Sequence, residues 1–271
     1  MTELFDLFKE ALKYPTNDYK ALLIFGVIFL IANLYSVFTA WGIELDSVVI
    51  GLLSIISIIL YFVTEGYALS VVRESLDLID EIPAFNIIAN FVDGLKLFVV
   101  QIAYYIIPTI LVLIVGWLSG TFYALFNIVE YLGQDFTSTS LNTTTISFNA
   151  VPQEYWSALA IGLVITAIFA MILFIIFGLL LGIAECRLAK YDSIGEALNI
   201  REVIEDIKKI GIGRYIGWYI LLFVITMIIS FVLGFINAIP YIGVLIGFLV
   251  GTPFITLFGS RALGALYSDV E

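Results

Sequence analysis

Six runs of roughly twenty apolar residues constrain this chain more than anything else in it. They fall near 21–41, 48–72, 97–118, 156–184, 215–236 and 242–260. A helix of about that length and character crosses the hydrocarbon core of a bilayer. The remainder is too sparse to build a soluble fold around them. Of 271 residues, 62% are hydrophobic and only 13% are charged, against about half and a quarter in a soluble domain. Disordered chains lack apolar residues, and a single cysteine, Cys186, excludes a disulfide scaffold. The reading is all-α: a polytopic helical membrane protein with about six transmembrane helices arranged as three hairpins. Residues 1–271 form one integral membrane domain.

The third run continues as an apolar, aromatic stretch to Gly133. As one helix, 97–132 would be about 54 Å long, too much for a single span. Either the helix projects outward, or it breaks near Gly116–Gly120 and the remainder lies at the interface; a seventh membrane element is the alternative, so 119–132 is left open as an extension, an interfacial helix or a re-entrant segment. Trp117, Phe122, Tyr123, Phe126 and Tyr131 suit the membrane interface.

With six spans, all twelve lysines and arginines fall on one side. Basic residues stay cytoplasmic, so the expectation is a cell-membrane protein with both termini inside and the loop 133–155 outside. The first run is too long for a signal-peptide core and reads as an uncleaved span.

Three segments are amphipathic rather than spanning. Residues 3–14 set Leu4, Phe8, Ala11 and Leu12 against Asp6, Lys9, Glu10 and Lys13, ending at Pro15. Residues 84–96 set Phe85, Ile88, Phe91, Val92 and Leu95 against Asn86, Asn90, Asp93 and Lys96. Residues 194–210 follow the same plan. Each precedes an odd-numbered span and is expected to lie in the inner interface. Aligned, Glu10/Lys13, Asp93/Lys96 and Glu205/Lys208 each place a carboxylate one helical turn before a lysine. Arg73, Arg187 and Arg261 follow the even spans. This predicts three repeats, 1–80, 81–192 and 193–271, with Asp93, Lys96, Glu205 and Lys208 as a charged collar facing headgroups or a partner. The alternative is that any inner interfacial helix looks like this.

The loop 133–155 is rich in threonine and serine, and Asn142-Thr143-Thr144 is its one glycosylation sequon. A flexible loop is expected over a short strand at Thr144–Phe148.

The stretch from Gly66-Tyr67 through Pro83-x-Phe85 and Asp93-Gly94-Leu95-Lys96 to Tyr104-Tyr105 and Pro108 resembles the archaeal membrane proteins catalogued as domain of unknown function 4013. The opening Phe8-x-x-Ala11-Leu12-x-Tyr14-Pro15 is similar to that family's start. Glu81-Ile82-Pro83 departs by having isoleucine in place of leucine. The resemblance implies a multi-pass archaeal membrane protein and implies no activity.

Polar residues within the apolar runs are few. Glu65 and Glu185 lie near the inner ends of the second and fourth runs, and intramembrane carboxylates are candidate ion or proton sites. The structural alternative is a boundary carboxylate reaching headgroup water or a nearby arginine. Asn33 and Gln101 are neutral candidates for polar sites, though such side chains more often bond between helices. Gly178/Gly182 and Gly243/Gly247/Gly251 read as packing rows, and Pro108, Pro240 and Pro253 as kinks or boundaries. Cys186 reads as an inert small residue.

No catalytic residues are assigned. Histidine is absent, and there is no phosphate loop, no nucleophile elbow and no His-Glu-x-x-His. No cofactor and no metal are expected. A net charge of −11 argues against nucleic acid. The partners left are membrane lipids, another membrane protein or a second copy of the chain. The reading is a membrane protein of unknown activity, best described as a non-catalytic organising or accessory protein. A small-solute or ion permease is the alternative, and a lipid-acting enzyme comes third.

Overall fold

The computed structural model describes residues 3–138 and 151–270. Described structure is helical throughout its regular elements: α1 Leu4–Lys13, α2 Tyr19–Ala32, α3 Leu34–Ala40, α4 Ser47–Leu76, α5 Ile87–Leu118, α6 Thr121–Ser138, α7 Gln153–Tyr191, α8 Ile194–Ala197, α9 Ile200–Ile210, α10 Ile212–Asn237, α11 Ile242–Ile246 and α12 Thr252–Tyr267. Among the described residues, five helices are long and apolar enough to cross a membrane. A sixth crossing follows if Leu4–Thr16 and Tyr19–Ala32, bent by 77° at their junction, act as one span.

Helix starts follow from local chemistry. Asp18 accepts from the N–H groups of Lys20 and Ala21 to cap α2, and Asp46 accepts from Val48 to cap α4. Helix breaks do too. The run at 21–41 is not one helix, as the sequence led us to expect. It divides at Asn33, whose backbone leaves the helical region and whose side-chain amide donates to Phe29 O at 2.9 Å. A short polar side chain bonding its own backbone competes with the helical ladder.

The expected separation of amphipathic helix from span also fails in the second repeat. The amphipathic 84–96 segment is no separate helix, since α5 runs unbroken for 32 residues through Pro108. In the third repeat the amphipathic segment is itself split into α8 and α9. There Gly211, at φ +93°, disconnects α9 from α10. Of the two readings of the long third run, an outward projection or a break, the structure has the break, at Ser119–Gly120, where Gly120 adopts φ +76°. The loop expected over 133–155 is narrower, because α6 extends to Ser138 and α7 begins at Gln153. Asn142 and the Thr144–Phe148 stretch lie outside the described residues.

The final crossing contains one π turn, Gly247–Gly251, in which the Thr252 N–H reaches back to Gly247 O. The wider turn precedes Pro253, which has no N–H to contribute to a regular ladder.

The chain divides into two units, Met1–Gln101 with Leu180–Glu271, and Ile102–Leu179. In the first, α12 packs on α4, α2 packs on both, and α1 packs on α12. Its core joins Tyr14, Leu22, Phe25, Tyr67, Val71 and Leu257. Phe8 of α1 lies between Trp218 and Phe258, with ring centroids 5.9 and 6.0 Å away. The α4–α5 crossing brings backbone against backbone. A Cβ on Gly66 would strike Asn90 O, and one on Gly94 would strike Phe62 O.

The second unit has its own polar seam. The hydroxyls of Ser119 and Thr121 sit 2.7 Å apart, and Thr166 of α7 lies 3.2 and 3.3 Å from them. Tyr105 and Phe174 pack at 5.8 Å. The most apolar stretches of α7 and α10 have no buried residues within the protein. An outward apolar face of that extent is stable against lipid, not water.

Candidate functional site

Charge gathers where the amphipathic segments meet the ends of the even spans. Arg73, in the last turn of α4, donates from Nη1 to Asp93 Oδ2 of α5 at 3.1 Å and from Nε to Ala189 O at 3.0 Å. Lys96, one turn after Asp93, reaches Asp93 Oδ1 at 3.3 Å and Asp192 Oδ1 at 2.7 Å.

The same construction recurs one repeat later. Arg187, near the end of α7, donates from Nη1 to Asp206 Oδ2 of α9 at 2.8 Å. Its Nη2 donates to Glu196 Oε2 at 2.7 Å and its Nε to Glu196 O at 3.0 Å. Lys209 reaches Asp206 Oδ1 at 3.1 Å, and the Tyr267 hydroxyl donates to Asp206 Oδ2 at 2.7 Å. The second clasp is the drier one: the Arg187 and Asp206 side chains are 4% and 2% exposed, against 37% and 12% for Arg73 and Asp93. Burial alone would push the Asp206 carboxyl up. Hydrogen bonds from Tyr267, Arg187 and Lys209 outweigh it and hold the group below the usual carboxylate range.

The structural correspondence shifts the repeat alignment by one residue. Asp206 and Lys209 match Asp93 and Lys96, whereas the sequence pairing chose Glu205 and Lys208. Glu205 instead pairs with Arg201 at 3.3 Å on an exposed face, and Lys208 is exposed. Sequence reasoning therefore missed Asp206, Lys209, Asp192 and Tyr267. The available signal was the interval from the preceding arginine, 20 residues to Asp93 and 19 to Asp206.

The collar thus divides in two. Asp93 and Lys96 are committed to bonds within the chain, while Glu205 and Lys208 face outward. Arg261, after the last even span, is held differently. It donates to Ile79 O at 2.7 Å and to Asp80 Oδ1 at 2.6 Å, and lies over the Tyr14 ring at 5.1 Å.

Three of the four polar residues picked from the apolar runs come together. Glu65 of α4 accepts a hydrogen bond from Gln101 of α5, and Glu185 of α7 is close enough to Glu65 for the two charges to interact. Tyr215 of α10 borders Glu185 in turn. The fourth, Asn33, serves the break between α2 and α3. Among the described residues, neither carboxylate forms an ion pair with an arginine. Among the described residues, no three His, Cys, Asp or Glu side chains form a group able to hold a metal.

The small residues pack as expected at Gly243, Gly247 and Gly251, which lie against Ile236, Asn237 and Leu233 of the preceding helix. Gly182 faces the Tyr215 and Tyr219 hydroxyls, but a Cβ on Gly178 would meet nothing within 4 Å. Cys186 is buried, its thiol 3.9 Å from Leu263 O.

Helices with outward apolar faces, tied at their charged ends by ion-paired clasps, define a membrane protein of unknown activity. The chain belongs to the family described as Protein of unknown function (DUF4013), which matches residues 49–238 and so takes in the ion pairs of both clasps, though not Tyr267, and the Glu65–Gln101–Glu185 cluster. No curated protein and no solved structure matches the chain.

Proposed function

We propose that this is a non-catalytic, multi-pass protein of the cell membrane, with both termini cytoplasmic, that organises or accompanies another membrane protein. The observation that carries the reading is the pair of ion-paired clasps, the one at Arg187 and Asp206 buried, that join the ends of the even spans to the amphipathic segments. Arg73 with Asp93 and Asp192, and Arg187 with Asp206, tie α4, α5, α7 and α9 at one end. A permease works by rocking one repeat against another around a fixed site. Buried, multiply bonded ion pairs oppose such motion, since parting one leaves an uncompensated charge. They favour a rigid frame presenting a fixed surface.

The surface available to a partner is the outer side of α9. Glu205, Lys208 and Arg201 project there without entering either clasp. The test is reversal of both charges, E205K with K208E, followed by gentle purification. The reading expects a stoichiometric companion protein to be lost while the fold survives.

One observation favours a second reading, an ion or small-solute permease. Glu65, Gln101 and Glu185 lie together within the spanning helices, where carboxylates are functional candidates. That reading expects a flux in proteoliposomes that E65Q and E185Q abolish.

A further inference from the structure

The third arginine, Arg261, sits beside an opening. In the second and third repeats, the acid/lysine pair of the amphipathic segment closes directly on the arginine of the preceding even span. In the first repeat the equivalent pair is Glu10 and Lys13 of α1, and the arginine facing it is Arg261. These do not close. A polar pocket of about 440 Å³ lies among Glu10, Lys13, Asn17, Asp80 and Arg261. Neither Glu10 nor Lys13 forms an ion pair among the described residues. Arg261 turns instead to Asp80, whose side chain is 80% exposed, on a turn where Leu78 takes φ +55°.

We propose that this pocket binds an anionic phosphate group, carried by a lipid headgroup or free in solution, which takes on Arg261 and Lys13 the place that Asp93 and Asp206 take in the other two clasps. The lining includes a planar guanidinium, Arg261, and an ammonium, Lys13, the donors that phosphate oxygens use. The guanidinium is already oriented, because the carbonyl of Ile79 and the ring of Tyr14 hold it from other sides. Asp80 is the competitor: an exposed carboxylate that a phosphate displaces without unpairing any buried group. The volume exceeds what a side-chain carboxylate fills and suits a phosphate with a small polar substituent, toward which the Asn17 amide and the Glu10 carboxylate offer a donor and an acceptor. The pocket opens beside α1, whose Leu7 and Phe8 are buried while Phe5 is 76% exposed, the amphipathic character of a helix lying along headgroups.

The test is thermal unfolding of the purified full chain in neutral detergent. Inorganic phosphate is titrated in one arm, phosphatidylglycerol in mixed micelles in the second, and phosphatidylcholine in the third. A saturable rise in Tm with phosphate supports the site and identifies a soluble ligand. A rise with phosphatidylglycerol and not with phosphate supports it and identifies a headgroup. The variant K13E, at an exposed position, is expected to weaken binding about tenfold, the loss of one charge-assisted contact. D80N removes the competitor and is expected to strengthen it. No saturable rise with either anion, a rise equal to that given by phosphatidylcholine, or a response unchanged in K13E overturns the proposal. Weaker binding in D80N overturns the displacement of Asp80.

Discussion

Arg187 and Asp206 meet at 2.8 Å with 4% and 2% of their side chains exposed, and Arg73 meets Asp93 at 3.1 Å in the same relation one repeat earlier. In both, the carboxylate's second oxygen accepts from a lysine one turn later, at 3.1 and 3.3 Å. The two sites share a three-part arrangement of arginine, aspartate and lysine, built from segments with little sequence identity.

The two clasps differ in burial, and their variants should differ in proportion. Asp206→Ala takes the buried acceptor from Arg187 Nη1 and the Tyr267 hydroxyl, leaving Arg187 only Glu196, and is expected to destabilise the protein by about 3 kcal/mol. Asp93→Ala, where Arg73 is partly exposed, should cost about 1–2 kcal/mol. Equilibrium unfolding in detergent, monitored by circular dichroism, gives the order. Equal losses would contradict the assigned burial.

Acid should open the second clasp. The Asp206 carboxyl is held below its ordinary value in the folded chain. A depressed folded value means its contribution is complete above the unfolded value, about 3.9, and is lost as the pH falls through the folded one. Wild-type Tm should therefore drop as the pH is lowered below about 4, and Asp206→Asn should flatten that part of the profile. An unchanged acid limb in the variant would remove Asp206 from the account.

The α4–α5 crossing tolerates no side chain. Gly66→Leu and Gly94→Leu both place carbon against backbone oxygen of the facing helix, and each should cost more than about 3 kcal/mol or prevent folding, beyond ordinary overpacking of side chains. Gly178→Leu, at a helical glycine with open space around it, should fold normally. Expression and monodispersity on size exclusion separate the two cases.

The outward pair should behave as surface. E205K with K208E alters only an exposed ion pair with Arg201 and is expected to change stability by less than about 1 kcal/mol. A loss comparable to that of Asp206→Ala would show that the one-residue shift in the repeat alignment is mistaken.

The spans at 48–72, 97–118, 156–184 and 215–236 were legible because twenty apolar residues have few alternatives. Length alone showed that 97–132 could not be one span, but left a break near Gly116–Gly120 and an outward projection both open. What stayed hidden depended on contacts between distant segments. Nothing near Asn33 announces that its amide would turn back on Phe29 and divide the first run. Asp206 and Glu205 are adjacent acids on one helix, and only the position of Arg187 decides which is buried. Glu65, Gln101 and Glu185 were each visible as polar residues in apolar runs, but their meeting is a property of the packing of three helices.

The measurement that bears most directly on the account is gentle purification from native membranes of the wild-type protein and of the E205K/K208E variant, with the mass and composition of each particle determined and the same material reconstituted for flux. The account predicts a stoichiometric second protein with the wild type, its loss from a folded variant, and no flux that depends on Glu65 or Glu185. A particle containing this chain alone, carrying an ion or solute flux that E65Q abolishes, would contradict it.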